Sequence, residues 1–156
     1  MARRAAGILL WRRVGEGVEV LLAHPGGPLF AARDHGSWTV PKGEPDPGED
    51  EFAAARREFA EEIGVDPPGG EAVLLGEARQ RGGKVNVVWA IEGSLDGAAV
   101  RSNSFEMEWP PRSGRRQSFP EVDRVAWFDL ESEAYRRIRD GQSAFLDRLR
   151  AVLDQP

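Results

Sequence analysis

Four glutamates and one arginine stand at fixed spacing within GEPDPGEDEFAAARREFAEEIGV, residues 43–65: Glu49, Arg57, Glu58, Glu61 and Glu62. In a helix Glu58, Glu61 and Glu62 fall at i, i+3 and i+4, so their carboxylates share one face. Like charges at these spacings repel by a few tenths of a kcal/mol per pair. A bound cation removes that repulsion. The donors are all oxygen, which suits a hard cation, Mg²⁺ or Mn²⁺. The chain has no cysteine, so soft-metal sites, disulfides and thiol chemistry are excluded. Divalent ions on such a face neutralise phosphate oxygens and activate water, the two requirements of phosphoanhydride cleavage. An acidic helix taken alone is a solvated face, and Arg57 on it a surface ion pair worth less than about 1 kcal/mol. The full spaced pattern is what argues for a metal site.

The element carrying these groups is legible around them. Phe52, Ala55, Phe59 and Ile63 recur at helical spacing and make an apolar stripe opposite the acidic face. Asp46-Pro47-Gly48 supplies a turn before the helix, and Glu49 and Asp50 place acid in its first turn. Gly64 is the stop signal, with Pro67-Pro68 beyond it. The acidic face is expected to face solvent. Ala5 to Arg12 and Val18 to His24 form a strand pair around Gly15-Glu16-Gly17, and Trp38 to Val40 a short strand leading to Gly43. Ala72 to Arg79 and Lys84 to Ile91 form a hairpin across Gly82-Gly83, and Val122 to Phe128 a late strand. Leu130 to Arg139 and Gln142 to Leu153 are expected to be helical. The last carries Phe145, Leu146, Leu149, Val152 and Leu153 on one side, as core packing. Strands flanked by a few helices make an α+β sandwich.

The 43–65 segment resembles the Nudix box, G-x5-E-x7-R-E-U-x-E-E-x-G-U, where U is a bulky apolar residue. Gly43, Glu49, Arg57, Glu58, Glu61, Glu62 and Gly64 fill every fixed position. Val65 fills the last U, and Phe59 fills the first, where the family usually has an aliphatic residue. With each fixed residue occurring at about one position in fifteen, seven matches by chance come to roughly 10⁻⁸ per starting point. The resemblance implies an α/β/α sandwich with a mixed sheet between helices. It also implies divalent-metal-dependent hydrolysis of a phosphoanhydride bond in a nucleoside diphosphate linked to some other group X. By the same resemblance Glu58, Glu61 and Glu62 are metal ligands with the Gly43 carbonyl. Arg57 orients a box glutamate, and Glu49 supports the helix–loop junction.

The general base is open between a box glutamate, Glu61, and a glutamate outside it. Glu121, in FPEVDRVAWF and six residues before Trp127, is the first outside candidate, with Glu106 and Glu108 as alternatives. His35 precedes the box closely enough to line the site. His24 is a weaker candidate, because a lone histidine is more often structural. Lys42 is placed to reach a phosphate, as are Arg79 and Lys84 around Gly82-Gly83. In the connection from Gly93 to Pro120, Phe105, Met107 and Trp109 alternate with Glu106 and Glu108, the pattern of a strand with one acidic edge. Pro110-Pro111-Arg112-Ser113-Gly114-Arg115-Arg116 follows. Arg112 and Arg116 with Trp109 are candidates for binding phosphate and stacking on a base, and a solvated basic loop is the competing reading.

For substrate, Trp38-Thr39-Val40-Pro41-Lys42-Gly43 and the Glu121-to-Trp127 spacing are similar to diadenosine polyphosphate hydrolases. Those enzymes often carry a stacking tyrosine soon after the box, whereas the only tyrosine here is Tyr135. The fuller pattern, including SFEMEWPPRSG, resembles bacterial Nudix proteins without an assigned substrate. A dinucleoside polyphosphate or a nucleoside triphosphate is the leading expectation. The alternative is a non-catalytic nucleotide sensor, and a purely structural interaction domain is the third reading. Intact box glutamates favour the enzyme.

The length, 156 residues, predicts one domain over 1–156 with about two thirds of the unfolded surface buried. A net charge of −5 disfavours a broad nucleic-acid surface but leaves phosphate-rich small molecules open through bound cations. The lack of cysteine fits a cytoplasmic protein. No segment is long enough for a membrane helix. Oligomeric state is not encoded in any of these features.

Overall fold

The computed structural model describes residues 3–95 and 101–155. Strand β1 (Arg4–Val14) turns at Gly15-Glu16 into β2 (Gly17–Pro25), antiparallel, with Trp11 opposite Val20. On its other side β1 runs parallel to β5 (Val85–Glu92), with β4 (Ala72–Arg79) antiparallel beyond. β8 (Val122–Asp129) adds to the free edge of β2, and the two-residue β3 (Lys42–Gly43) pairs with β1. The sheet order is thus β4-β5-β1-β2-β8, mixed in direction.

Alternation along these strands makes two cores. Ala6, Ile8 and Leu10 of β1, with Leu21 and Ala23 of β2, pack under helix α1 (Glu51–Ile63), which contributes Ala54, Ala55, Phe59 and Ile63. Leu9, Val20, Leu22, Val88 and Ala90 face the other way, onto Phe145, Leu146 and Leu149 of α3 (Ser143–Leu153) and Ala134 of α2 (Glu133–Arg137). The period-2 strand pattern and the 3.6-period helix stripes therefore meet in a helix–sheet–helix sandwich. Phe59 is fully buried on the α1 side, where the box pattern usually has an aliphatic side chain.

Helix α1 is fixed at both ends. The Asp50 carboxylate accepts from the Ala53 N–H at its start, and the Gly64 N–H reaches the Ala60 carbonyl at its end. Asp50 is the cap, and Glu49 lies outside the first turn.

Two elements differ from the sequence expectation. The helix expected over 130–139 narrows to α2, and the strand expected over 38–40 reduces to isolated bridges, Ala23 with Thr39 and Trp38 with Ile138. One cause serves both. Trp38 donates its N–H to the Arg137 carbonyl at 2.9 Å and accepts from the Arg139 N–H at 2.8 Å, so Ile138 is drawn out of the helix into extended geometry. In the connection from Gly93 to Pro120, residues 96–100 lie outside the described residues. The expected strand is β6 (Ser104–Glu108). Its partner β7 (Arg116–Pro120) forms with it a separate two-stranded sheet that propensity at Arg116-Gln117-Ser118 did not announce. Trp109 falls just past β6. Among the described residues no helix is long and apolar enough to cross a membrane.

Candidate metal and phosphate site

Arg57 is the centre of the acidic face. Its Nε and Nη2 donate to both Glu49 oxygens at 2.9 and 2.8 Å, and Nη1 donates to Glu58 at 2.9 Å and Glu61 at 3.1 Å. Glu49 also accepts from the Asp46 N–H at 2.9 Å, so one guanidinium ties the turn at residues 46–49 to the helix. Those donors hold the Glu49 carboxyl at about 2.

The two glutamates turned toward β3 behave differently, although Arg57 also reaches Glu58. Glu58 lies against β3: a Cβ on Gly43 would stand 2.0 Å from the Glu58 carboxyl, so only glycine lets the helix carboxylate approach this strand. The Glu58 side chain is 17% exposed, and burial raises its pKa against the opposing pull of Arg57, with Glu61 and Glu121 adding to the rise. Glu62 is pushed up to about 7, chiefly by burial, and further by the charges of Glu121 and Glu58, while Lys42 opposes. The expectation of a solvent-facing acidic face is thereby corrected for these two groups, because the helix leans its acidic face onto β3. The Lys42 backbone N–H donates to Glu62 at 3.3 Å. The Lys42 ammonium itself is pushed down to about 8 by burial and by the neighbouring charge of Lys84.

Glu121 sits at the bend between β7 and β8. Its N–H donates to the Asn103 carbonyl at 2.8 Å, and its carbonyl accepts from Gly26 at 2.9 Å. Its charge is felt at both Glu58 and Glu62. The structure thus brings Gly43, Glu58, Glu62 and Lys42 to one place, with Glu61 beside them on Arg57 and the exposed Glu121 near enough for its charge to act on Glu58 and Glu62. Among the described residues no three acidic or imidazole side chains close on a single point, because Glu58 and Glu61 are turned toward Arg57. The donor set still fits a hard divalent cation: it is all oxygen, and two of its carboxylates are half-buried among like charges.

The remaining candidates lie elsewhere. Trp109, Arg112 and Arg116 belong to the β6–β7 hairpin and, among the described residues, form no hydrogen bond or ion pair with a box residue. Arg116 stands 3.9 Å from Glu106 across the ladder. The Trp109 N–H donates to the Arg115 carbonyl at 2.9 Å, and Arg112 occupies the exposed turn. Glu106 and Glu108 lie on the hairpin's outer, exposed side. His24 is buried, with Nδ1 2.9 Å from Asp123 and Nε2 2.6 Å from the Arg33 carbonyl, a structural tie between β2, β8 and the following loop. His35 is exposed. Arg79 and Lys84 line an opening of about 610 Å³ at the β4–β5 turn together with Arg3 and Arg81. The two latter were not singled out from sequence. Arg3 reaches the site only because β1 pairs with β5, a neighbour about eighty residues away, and no local spacing signals that. Arg3 bonds Glu44, the residue after Gly43, and so links this basic rim to the box.

This arrangement belongs to a recognisable class. The NUDIX domain family model matches residues 1–149, and the chain belongs to that family. Within it, a 65-residue stretch is 42% identical to the Caenorhabditis elegans protein named bis(5'-nucleosyl)-tetraphosphatase [asymmetrical]; the match spans 42% of this chain and 43% of that protein, less than half of either. The fold is shared with a C. elegans Ap4A hydrolase solved as a binary complex, at TM-score 0.65 and 24% identity over 97% of this chain and 98% of that one. It is also shared with the NUDIX domain of Shewanella oneidensis NrtR complexed with ADP ribose, at TM-score 0.67 and 17% identity over 98% and 89%.

Proposed function

We propose that this chain, as one domain over 1–156, is a metal-dependent Nudix pyrophosphohydrolase that cleaves a phosphoanhydride bond in a nucleoside diphosphate linked to X. The observation that carries this reading is the floor of the site, where Glu58 and Glu62 lie half out of water, with the exposed Glu121 adding like charge and Lys42 as the nearby counter-charge. Desolvated like charges are costly unless a cation joins them. Glu58, Glu61, Glu62 and the Gly43 carbonyl would hold Mg²⁺ or Mn²⁺, which when bound neutralises phosphate oxygens and lowers the pKa of water.

The chain's own residues supply the rest. Arg57 orients Glu58 and Glu61 through its Nη1 donors. Glu49 anchors that guanidinium to the turn. Glu121 is the proposed general base, because among the described residues no guanidinium bonds its carboxylate, whereas Arg57 holds that of Glu61. Lys42, and Arg3, Arg79, Arg81 and Lys84 on the basic rim, would take the phosphate chain. A dinucleoside polyphosphate is the preferred substrate class, supported by the stretch of identity to the tetraphosphatase and by the four basic side chains, Arg3, Arg79, Arg81 and Lys84, on the rim. A nucleoside triphosphate is the second candidate. A cytoplasmic setting accompanies this reading.

A nucleotide sensor without turnover is the alternative, favoured by one observation: Glu49, Glu58 and Glu61 close on Arg57, and no three acidic side chains among the described residues close on one another. Mass-spectrometric product analysis separates the two. Wild type and Glu62→Gln are incubated with Mg²⁺ and a panel of nucleoside triphosphates, dinucleoside polyphosphates and nucleotide sugars in ¹⁸O water. Turnover by wild type and its loss in the variant supports the hydrolase, and the labelled product names the attacked phosphorus. Binding without turnover across the panel supports the sensor.

A further inference from the structure

The β6–β7 hairpin, which the phosphate chemistry does not use, closes a small apolar crevice against the loop after β2. Gly26, Gly27, Leu29, Phe30, Phe105 and Met107 line it, around a volume of about 110 Å³. The approach of the two segments is built in. A Cβ on Gly26 would meet the Pro120 carbonyl at 1.8 Å, and one on Gly27 would meet the Phe105 ring at 2.9 Å. The alternation of β6 turns Phe105 and Met107 inward and Glu106 and Glu108 out, and Phe105 is backed by Phe119 at 6.1 Å between ring centroids. Leu29 is 58% exposed at the rim, an apolar side chain left to water beside an apolar crevice.

Two features say what would fill it. Its floor is joined to the reaction site: the Gly26 N–H bonds the carbonyl of Glu121, the proposed base. Its rim is cationic, because Arg33 and Arg139 lie 5.8 and 5.6 Å from the Phe30 ring centroid and neither has a carboxylate partner among the described residues. A volume of this size admits one flat ring and excludes a helix or strand of a partner. Resting on the hydrolase reading, we propose that this crevice is the nucleobase subsite, in which the base of the substrate lies against Phe105 and the Met107 thioether while Arg33 and Arg139 meet its phosphates. Aromatic and thioether walls favour a flat π-face without reading its edge, so the subsite selects for a base and discriminates weakly among bases.

Met1 and Met107 are the only methionines, so ¹³C-methyl methionine labelling of the whole protein puts one of its two signals inside the crevice. Titration of wild type with adenosine 5'-monophosphate and Mg²⁺ is expected to move the Met107 methyl signal by the ring current of the base, and inorganic pyrophosphate to leave it in place. In parallel, Phe105→Leu, which keeps the site apolar, is expected to raise KM for a dinucleoside polyphosphate by about 5- to 150-fold with kcat retained, the range for losing one base–aromatic stack. A Met107 signal unmoved by the nucleotide while wild type turns nucleotides over overturns the subsite and leaves the hydrolase reading intact. A signal that moves in a protein that turns nothing over supports the subsite and removes the hydrolase reading. An unmoved signal with no turnover removes both.

Discussion

The two faces of the central sheet solve the problem of buried polarity in opposite ways. On the α3 side, besides the His24–Asp123 tie, the buried polar groups form a network of neutral amides. The buried Gln142 accepts from the Val40 N–H at 2.9 Å and donates to Gln80 at 3.0 Å, and Gln80 also accepts from the buried Asn86 at 2.7 Å. On the α1 side they are charges, Glu58 and Glu62 against Gly43 and Lys42. Amides satisfied by one another fix a strand position at little cost. Carboxylates crowded without enough donors have no such structural return. Which side was shaped for a ligand follows: the neutral network closes on itself but for the Asn86 Oδ1, which has no partner among the described residues, and the charged cluster asks for a cation.

If the contrast holds, the largest effect belongs to the charged side and to activity. Glu62→Gln keeps the shape and removes the charge. Turnover should fall roughly 10²–10³-fold, the range for losing one electrostatic group at a transition state, while melting temperature in the absence of metal stays the same or rises. Steady-state kinetics with a calorimetric scan reads both; full activity in the variant would remove Glu62 from the site.

The neutral side should respond inversely. Gln142→Ala leaves the Val40 N–H without its acceptor and removes one of the two donors to Gln80, at a cost of about 1–3 kcal/mol. Urea denaturation should register that loss, with kcat unchanged. A drop in kcat at constant stability would mean the amide network serves the site and not the fold.

Arg57→Ala tests the junction between charge and structure. The guanidinium is 30% exposed, so its several ion pairs are partly screened, and a stability loss of about 1–2 kcal/mol is expected in place of the larger value for a fully buried pair. Activity should fall as well, because Glu58 and Glu61 lose their orientation, and the two effects together distinguish this residue from Glu62.

Much of the α1 side was legible in the sequence because its information is local. Seven fixed positions in 23 residues, an apolar stripe and a Gly64 stop signal describe α1 without reference to the rest of the chain. The hairpins β1–β2 and β4–β5 were legible for the same reason, with turn glycines between apolar runs. What the sequence hid depends on distant pairing. Ile138 leaves its helix because Trp38 bonds its neighbours, and β7 is a strand because β6 lies beside it. Arg3 joins Arg79, Arg81 and Lys84 because β1 runs parallel to β5. No window of a dozen residues contains any of these facts. The burial of Glu62 was missed likewise, since an acidic helix face looks solvated until β3 is known to lie under it.

The smallest expected effect is the most direct reading of that burial. In the metal-free protein Glu62 has its pKa raised from 4.5 to about 7. The folded state therefore holds a proton that the unfolded chain has lost between those values. Glu62 contributes stability fully present below about 4.5 and lost as pH rises through about 7. With EDTA present, the melting temperature of wild type should decline across pH 5 to 7.5 by a few degrees more than that of Glu62→Gln, since roughly 2–4 °C accompanies each kcal/mol at this size. Adding Mg²⁺ should reverse the sign, because a cation favours the ionised carboxylate and binds only the folded protein, so stabilisation should grow as pH rises. A wild-type curve parallel to that of Glu62→Gln with EDTA, and unmoved by Mg²⁺ at pH 7.5, would return both sheet faces to the same category, structural polarity with no ligand on either side.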